Sequence, residues 1–168
     1  SRATTGTSGT TGKAMYATQT ERYSGQVATL GTLGANTKSI TYFAGAATEE
    51  KSDYTVKYNN AAPVDYTYYY YKAANVRASA ATVNDAMNLT QTQTTFAPSA
   101  NGAGVSDVNT KSITFFKNGV GEEQSDYTIK YAGTTAIDTT TYFYGTSSAN
   151  SRATTGTSGT TGKAMYAT

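Results

Sequence analysis

The stretch SDYTVKY at 52–58 returns as SDYTIKY at 125–131. Tyr54, Val56 and Tyr58 alternate with Asp53, Thr55 and Lys57, and Tyr127, Ile129 and Tyr131 do the same in the second copy. Strict alternation of large apolar and polar residues is the signature of a strand with one buried face. The β-branched and aromatic content favours the same conformation. The chain is therefore read as all-β and internally repeated.

The likeness extends outward from this strand. NTKSITYF (36–43) matches NTKSITFF (109–116), Asp65 matches Asp138, and Tyr69 and Tyr71 match Tyr142 and Tyr144, all at an offset of 73 residues. Upstream the offset changes: Ala14-Met15 matches Ala86-Met87 and Thr18-Gln19-Thr20 matches Thr90-Gln91-Thr92 at 72, while Arg2-Ala3, Arg77-Ala78 and Arg152-Ala153 recur at 75. A longer period encloses these, because residues 1–18 and 151–168 are identical, SRATTGTSGTTGKAMYAT. The chain divides into unit A (1–75), a diverged unit B (76–150) and the beginning of another A (151–168). Diverged neighbours with identical alternate units imply an A-B-A-B array. Residues 151–168 are expected to complete the sheet of unit B, since units of this kind bury part of their core against the next.

Strands are expected at Lys13–Thr20, Val27–Leu30, Lys38–Phe43, Asp53–Tyr58 and Val64–Lys72, with five or six per unit and a helical turn only at 84–87. Residues 4–12 read as a loop. Turns are expected at 44–51, at Asn118-Gly119 and at 59–63. Short strands at this spacing predict a sandwich or barrel. In the last strand of unit A, Val64, Tyr66, Tyr68 and Tyr70 are assigned to the core, and Asp65, Thr67, Tyr69 and Tyr71 to the outer face. Unit B assigns Ile137, Thr139, Thr141 and Phe143 to the core, leaving Tyr142 and Tyr144 outward. A β-bulge would change this assignment.

Composition excludes several functions. The net charge is +2 with no basic block, so nucleic acid is not an expected partner. Histidine and cysteine are both absent, which removes Ser-His-Asp and Cys-His catalysis, disulfides and most zinc sites. No apolar run approaches the roughly 20 residues of a membrane helix. The chain is expected to be neither an enzyme nor a cofactor protein. Glu49-Glu50 and Glu122-Glu123 fall in turns, and Asp85 and Asp107 lie outside any calcium-loop pattern.

Four groups of candidates remain. The outward Tyr69, Tyr71, Tyr142 and Tyr144 suit a packing interface or a glycan surface. Lys38, Lys111, Asn75 and Asn150 are candidates for Lys–Asn isopeptide bonds. Asn88 heads an N-glycosylation sequon. The Thr/Ser tract at 4–11 is a candidate for O-glycans.

The stretches Ser52–Asn60 and Ser125–Tyr131, each after a strand and turn, resemble the tandem immunoglobulin-like repeats of prokaryotic giant adhesins and cell-surface fibre proteins. The resemblance covers about a third of each unit, and DYTYYYY stands where that family has a different closing strand. It implies tandem small Ig-like β-sandwiches in an extracellular filament, stalk or adhesin shaft at the cell surface, self-associating end to end. Strand addition between units is the expected joint. The alternative is a carbohydrate-binding module using the outward tyrosines.

Overall fold

The computed structural model describes residues 12–23, 27, 29–146, 149–153 and 165–167. Residues 4–11, with the expected O-glycan tract and most of the expected loop, lie outside them.

Unit A contributes β1 (Ala17–Glu21), β2 (Thr37–Ala44), β3 (Lys51–Asn59) and β4 (Ala62–Tyr71). Unit B contributes β5 (Met87–Gln93), β6 (Thr110–Lys117), β7 (Gln124–Ala132) and β8 (Thr135–Thr141). The eight form one antiparallel sheet in sequential order, β1 to β8. Thus four strands per unit enter the sheet, and it passes from A into B without a break. After Tyr142 the chain forms β9 (Phe143–Thr146), β10 (Ala149–Arg152) and β11 (Met165–Ala167), a second sheet with β9 in the middle.

Periodicity located most strands correctly. Alternation in 53–58 became β3, with Val56 and Tyr58 buried and Tyr54 packed beside them. β2 buries Ile40 and carries Tyr42 on the same face. Other expectations are corrected. Among the described residues of 27–30 there is only a bend and turn, no strand. The expected helical turn at 84–87 is a turn leading directly into β5, while a short 3₁₀ turn forms at Ala78–Ala80.

Register shifts alter the β4 assignment at both ends. Lys57 pairs with Asp65 but Tyr58 pairs with Pro63, so Val64 is displaced from the buried row and is exposed. The same shift at Lys130/Tyr131 leaves Ile137 exposed. At the other end Tyr70 pairs with Leu89 but Tyr71 pairs with Met87. An extra residue in one strand re-aims the side chains beyond it. Tyr68, Tyr70 and also Tyr71 are consequently buried, and Tyr144 is buried as Tyr71 is.

One face of the sheet is apolar. Ile40, Val56 and Tyr58 form a cluster in unit A, and Tyr68, Tyr70, Leu89 and Ile113 form another across the A/B boundary. The chain connections cover this face. The 3₁₀ turn contacts β2, β3 and β4, Ala103 packs on the boundary cluster, and the Phe96 ring lies 5.3 Å from Tyr54 and 5.4 Å from Tyr66. Gly104 sits at φ +81, where a Cβ would stand 3.0 Å from Leu89 Cδ2. The positive φ favours glycine there, and a Cβ would press on the tip of the buried Leu89 side chain. The sandwich expectation is met in part: the chain is all-β and antiparallel, but connections supply the covering layer here. The sequential order also lacks the Greek-key crossing of an immunoglobulin sandwich.

Candidate functional site: the seam between repeat units

The boundary between A and B is the β4–β5 pairing, running from Tyr66↔Gln93 through Thr67↔Thr92 and Tyr69↔Thr90 to Tyr71↔Met87. On the polar face the Thr67 and Thr92 hydroxyls lie 3.0 Å apart, and Lys111 Nζ of unit B donates to Asp65 Oδ1 of unit A at 2.5 Å. On the other face Arg77 clamps the incoming chain. Its Nε donates to Asp53 Oδ1 at 2.9 Å, and its Nη2 lies 2.8 Å from Oδ2 and 3.2 Å from the Asp53 carbonyl. The guanidinium also covers the Tyr68 ring at 4.8 Å. A planar, forked cation suits this double task, which lysine would not match. Ala78 follows and is 1% exposed.

The same joint recurs at the start of the next unit. Arg152 Nε donates to Asp126 Oδ1 at 3.0 Å, its Nη2 to Oδ2 at 2.9 Å, and Ala153 is 1% exposed. Tyr144↔Met165 and Phe143↔Ala167 reproduce Tyr71↔Met87 and Tyr70↔Leu89, including the intervening register shift. Tyr71 donates its hydroxyl to the Ser52 carbonyl at 2.8 Å, and Tyr144 to the Ser125 carbonyl at 2.8 Å. Among the described residues of 151–168, Ser151 and Arg152 pair with β9 as part of β10, and Met165–Ala167 pair with it as β11, in a sheet separate from the eight-stranded one.

The sequence candidates are redistributed. Tyr71 and Tyr144, expected to face outward, face inward and are buried as internal props, with ionisation pushed up by burial. Tyr69 and Tyr142 are half-buried on the polar face, with hydroxyls 3.0 Å from Thr55 and 3.1 Å from Thr128. The isopeptide set is not assembled among the described residues. Lys111 reaches Asp65, Asn75 Oδ1 accepts from Asn88 Nδ2 at 2.5 Å, and Lys38 is exposed at the start of β2. The Asn150 side chain lies outside the described residues. Asn88 occupies an interior strand, and the amide nitrogen an N-glycan would modify is the one engaged with Asn75.

Sequence reasoning missed two features. One is the Arg–Asp clamp, whose members recur at offsets of 75 and 73; the spacing mismatch hid a pairing that both copies keep. The other is the pinning of the long connections. Gln91 Oε1 accepts from Gly104 N at 3.1 Å while its amide donates to the Val105 carbonyl at 3.0 Å, and in unit A Gln19 Oε1 accepts from Gly31 N at 3.0 Å. Thr18-Gln19-Thr20 and Thr90-Gln91-Thr92 were recognised as a repeat, but not why the glutamine is kept.

The polar face curves into a concavity of about 420 Å³ lined by Lys38, Lys57, Lys111 and Lys130 among serine and threonine hydroxyls. Lys111 and Lys130 pair with Asp65 and Asp138, and Lys38 and Lys57 have no carboxylate partner among the described residues. Among the described residues no helix is long and apolar enough to cross a membrane. Comparisons with models of protein families, with curated proteins and with solved structures found no match.

Proposed function

We propose that this chain is a segment of an extracellular structural shaft, a filament, stalk or adhesin stem, in which A and B units propagate one sheet. The observation that carries the reading is the repetition of the joint: Arg152, Ala153 and Met165 meet unit B as Arg77, Ala78 and Met87 meet unit A. A joint made of backbone hydrogen bonds is directional and indifferent to most side-chain drift, which suits a load-bearing array. Its role is that of the Ig-like shafts the sequence resembles, with shared strands in place of separate domains. No catalytic step is assigned to it.

Strand spacing gives a test. Eight strands at roughly 4.8 Å extend a sheet by about 38 Å per A-B period. Chains of one, two and three periods are expected to form rods whose length, by small-angle scattering or negative-stain microscopy, grows by about that step. Lengths that do not increase, or flexible beads with no fixed step, would overturn the reading.

A second reading, a surface for acidic carbohydrate, is favoured by the lysine-lined concavity. It places Lys57 rather than the tyrosines at the centre. Binding to an acidic-glycan array that is lost in Lys57→Glu would support it, and no binding by the unaltered chain would remove it.

A further inference from the structure

Strands β5 and β6 meet at their ends in a pair of buried polar residues. Gln93, the last residue of β5, is the register partner of Thr110, the first of β6. They are 0% and 2% exposed. Directly opposed residues bring their side chains together. Thr110 Oγ1 donates to Asp107 Oδ1 at 3.0 Å, and the end of the Gln93 amide lies 3.1 Å from the same Oγ1. The amide satisfies all its neighbours when its oxygen faces Gln91 Nε2, at 3.0 Å, and its nitrogen faces Asp107 Oδ1, at 3.2 Å, and the Asn109 carbonyl, at 3.3 Å. A hydroxyl beside a carboxylate, held against an amide whose oxygen accepts an N–H, is the arrangement that activates a weak nucleophile.

We infer that Thr110 and Gln93 become joined by an ester bond once the chain has folded. Thr110 Oγ1 attacks Gln93 Cδ and passes its proton to the Asp107 carboxylate. The Cδ–Nε2 bond breaks, and Asp107 returns the proton to the departing nitrogen. The products are the ester and one ammonia, and no other reactant is consumed. Gln91 Nε2 stabilises the charge that develops on the amide oxygen. Holding the two groups in contact gives an effective concentration that can reach about 10⁵–10⁸ M, which compensates for an unreactive amide. Ammonia that escapes becomes ammonium in neutral water and does not return, and burial keeps water from the ester.

Unit A is the internal control. Its equivalent opposed pair is Glu21↔Thr37, with Thr37 Oγ1 donating to Glu21 Oε1 at 3.0 Å, and Gly34 stands where unit B has Asp107. There the strand carries the carboxylate itself, which is a poor acyl donor, and no second acid stands at the loop position. Unit B differs at both places: the strand residue is an amide and the loop supplies the acid. Both changes are needed for the reaction, so one crosslink forms, in unit B alone. It closes the connection 94–109, which packs Phe96 against Tyr54 and Tyr66 and Ala103 on the boundary cluster. In a chain without cysteine it does the work of a disulfide. The inference is independent of the shaft reading.

Mass spectrometry of the unaltered, folded chain is the test. The intact mass is expected to fall one ammonia short of the sequence mass. The deficit should map to the tryptic peptide 78–111, which contains both residues, and backbone fragmentation should be silent between Gln93 and Thr110. Alkaline hydroxylamine, which opens an ester but leaves an amide crosslink intact, is expected to restore the missing fragments. Thr110→Val and Asp107→Asn are expected to show the full sequence mass, and Thr110→Ser, which keeps the hydroxyl, to show the deficit again. A full sequence mass for the unaltered chain, or a deficit that persists in Thr110→Val or Asp107→Asn, would overturn the inference.

Discussion

At the scale of the residue, Tyr68 and Tyr71 separate two meanings of a buried tyrosine. Tyr71 donates to the Ser52 carbonyl, whereas the buried Tyr68 hydroxyl has no hydrogen-bond partner. An unsatisfied buried polar group costs free energy, and a satisfied one contributes modestly. Tyr68→Phe is therefore expected to be neutral or to stabilise by up to about 1 kcal/mol, and Tyr71→Phe to destabilise by about 1 kcal/mol; urea unfolding of both variants checks the sign. Burial also pushes Tyr68 up to about 12 from the ordinary 10.0. The folded state then holds its proton more tightly than the unfolded chain, so this stability is complete below pH 10 and falls as pH rises from 10 towards 12. An alkaline titration should show stability declining over that window, less steeply in Tyr68→Phe. A flat wild-type profile between pH 10 and 12 would contradict the account.

At the scale of the element, the β3–β4 hairpin turns on Asn60 and Ala61, with φ of +49 and +63. Positive φ at both central residues defines the type I′ turn, whose twist matches that of the strands. Alanine is disfavoured there by about 1–2 kcal/mol, and glycine recovers part of this while adding unfolded-state entropy. Ala61→Gly should stabilise by about 0.5–1 kcal/mol, read as a higher urea midpoint. A lower midpoint would mean the turn contributes through contacts rather than backbone conformation. The turn itself was legible from Asn59-Asn60-Ala61-Ala62-Pro63, because turn chemistry is local. The bulges beside it were not: a register shift is decided between strands, and alternation within one strand cannot reveal it. That is why Val64 and Ile137 were assigned to the core and are exposed, while Tyr71 and Tyr144 were assigned outward and are buried.

At the scale of the whole molecule, the boundary cluster takes Tyr68 and Tyr70 from unit A and Leu89 and Ile113 from unit B. Units sharing a core and a seam should unfold together. Leu89→Ala removes a side chain 1% exposed and is expected to cost about 2–5 kcal/mol, lowering a single calorimetric transition for both units. Two resolved transitions, with unit A unchanged, would show that the units are energetically separate. The candidate joint was half legible. Arg77, Arg152, Asp53 and Asp126 all stood out as retained residues, but their partnership depends on how the chain returns across β3 after β4.

The all-β character, the positions of β2, β3, β6 and β7, and the buried face of β2 and β3 were legible in the sequence alone. These follow from local periodicity and from comparing two copies in one chain. Only the tertiary structure decided that the units share one sheet, that Arg77 and Arg152 clamp the incoming chain, and which tyrosines prop the joints. The physical reason is that pairing, register and the closure of ion pairs are relations between distant segments. A strand carries its own pleat in its sequence, but which edge it joins is set by the chain on the other side.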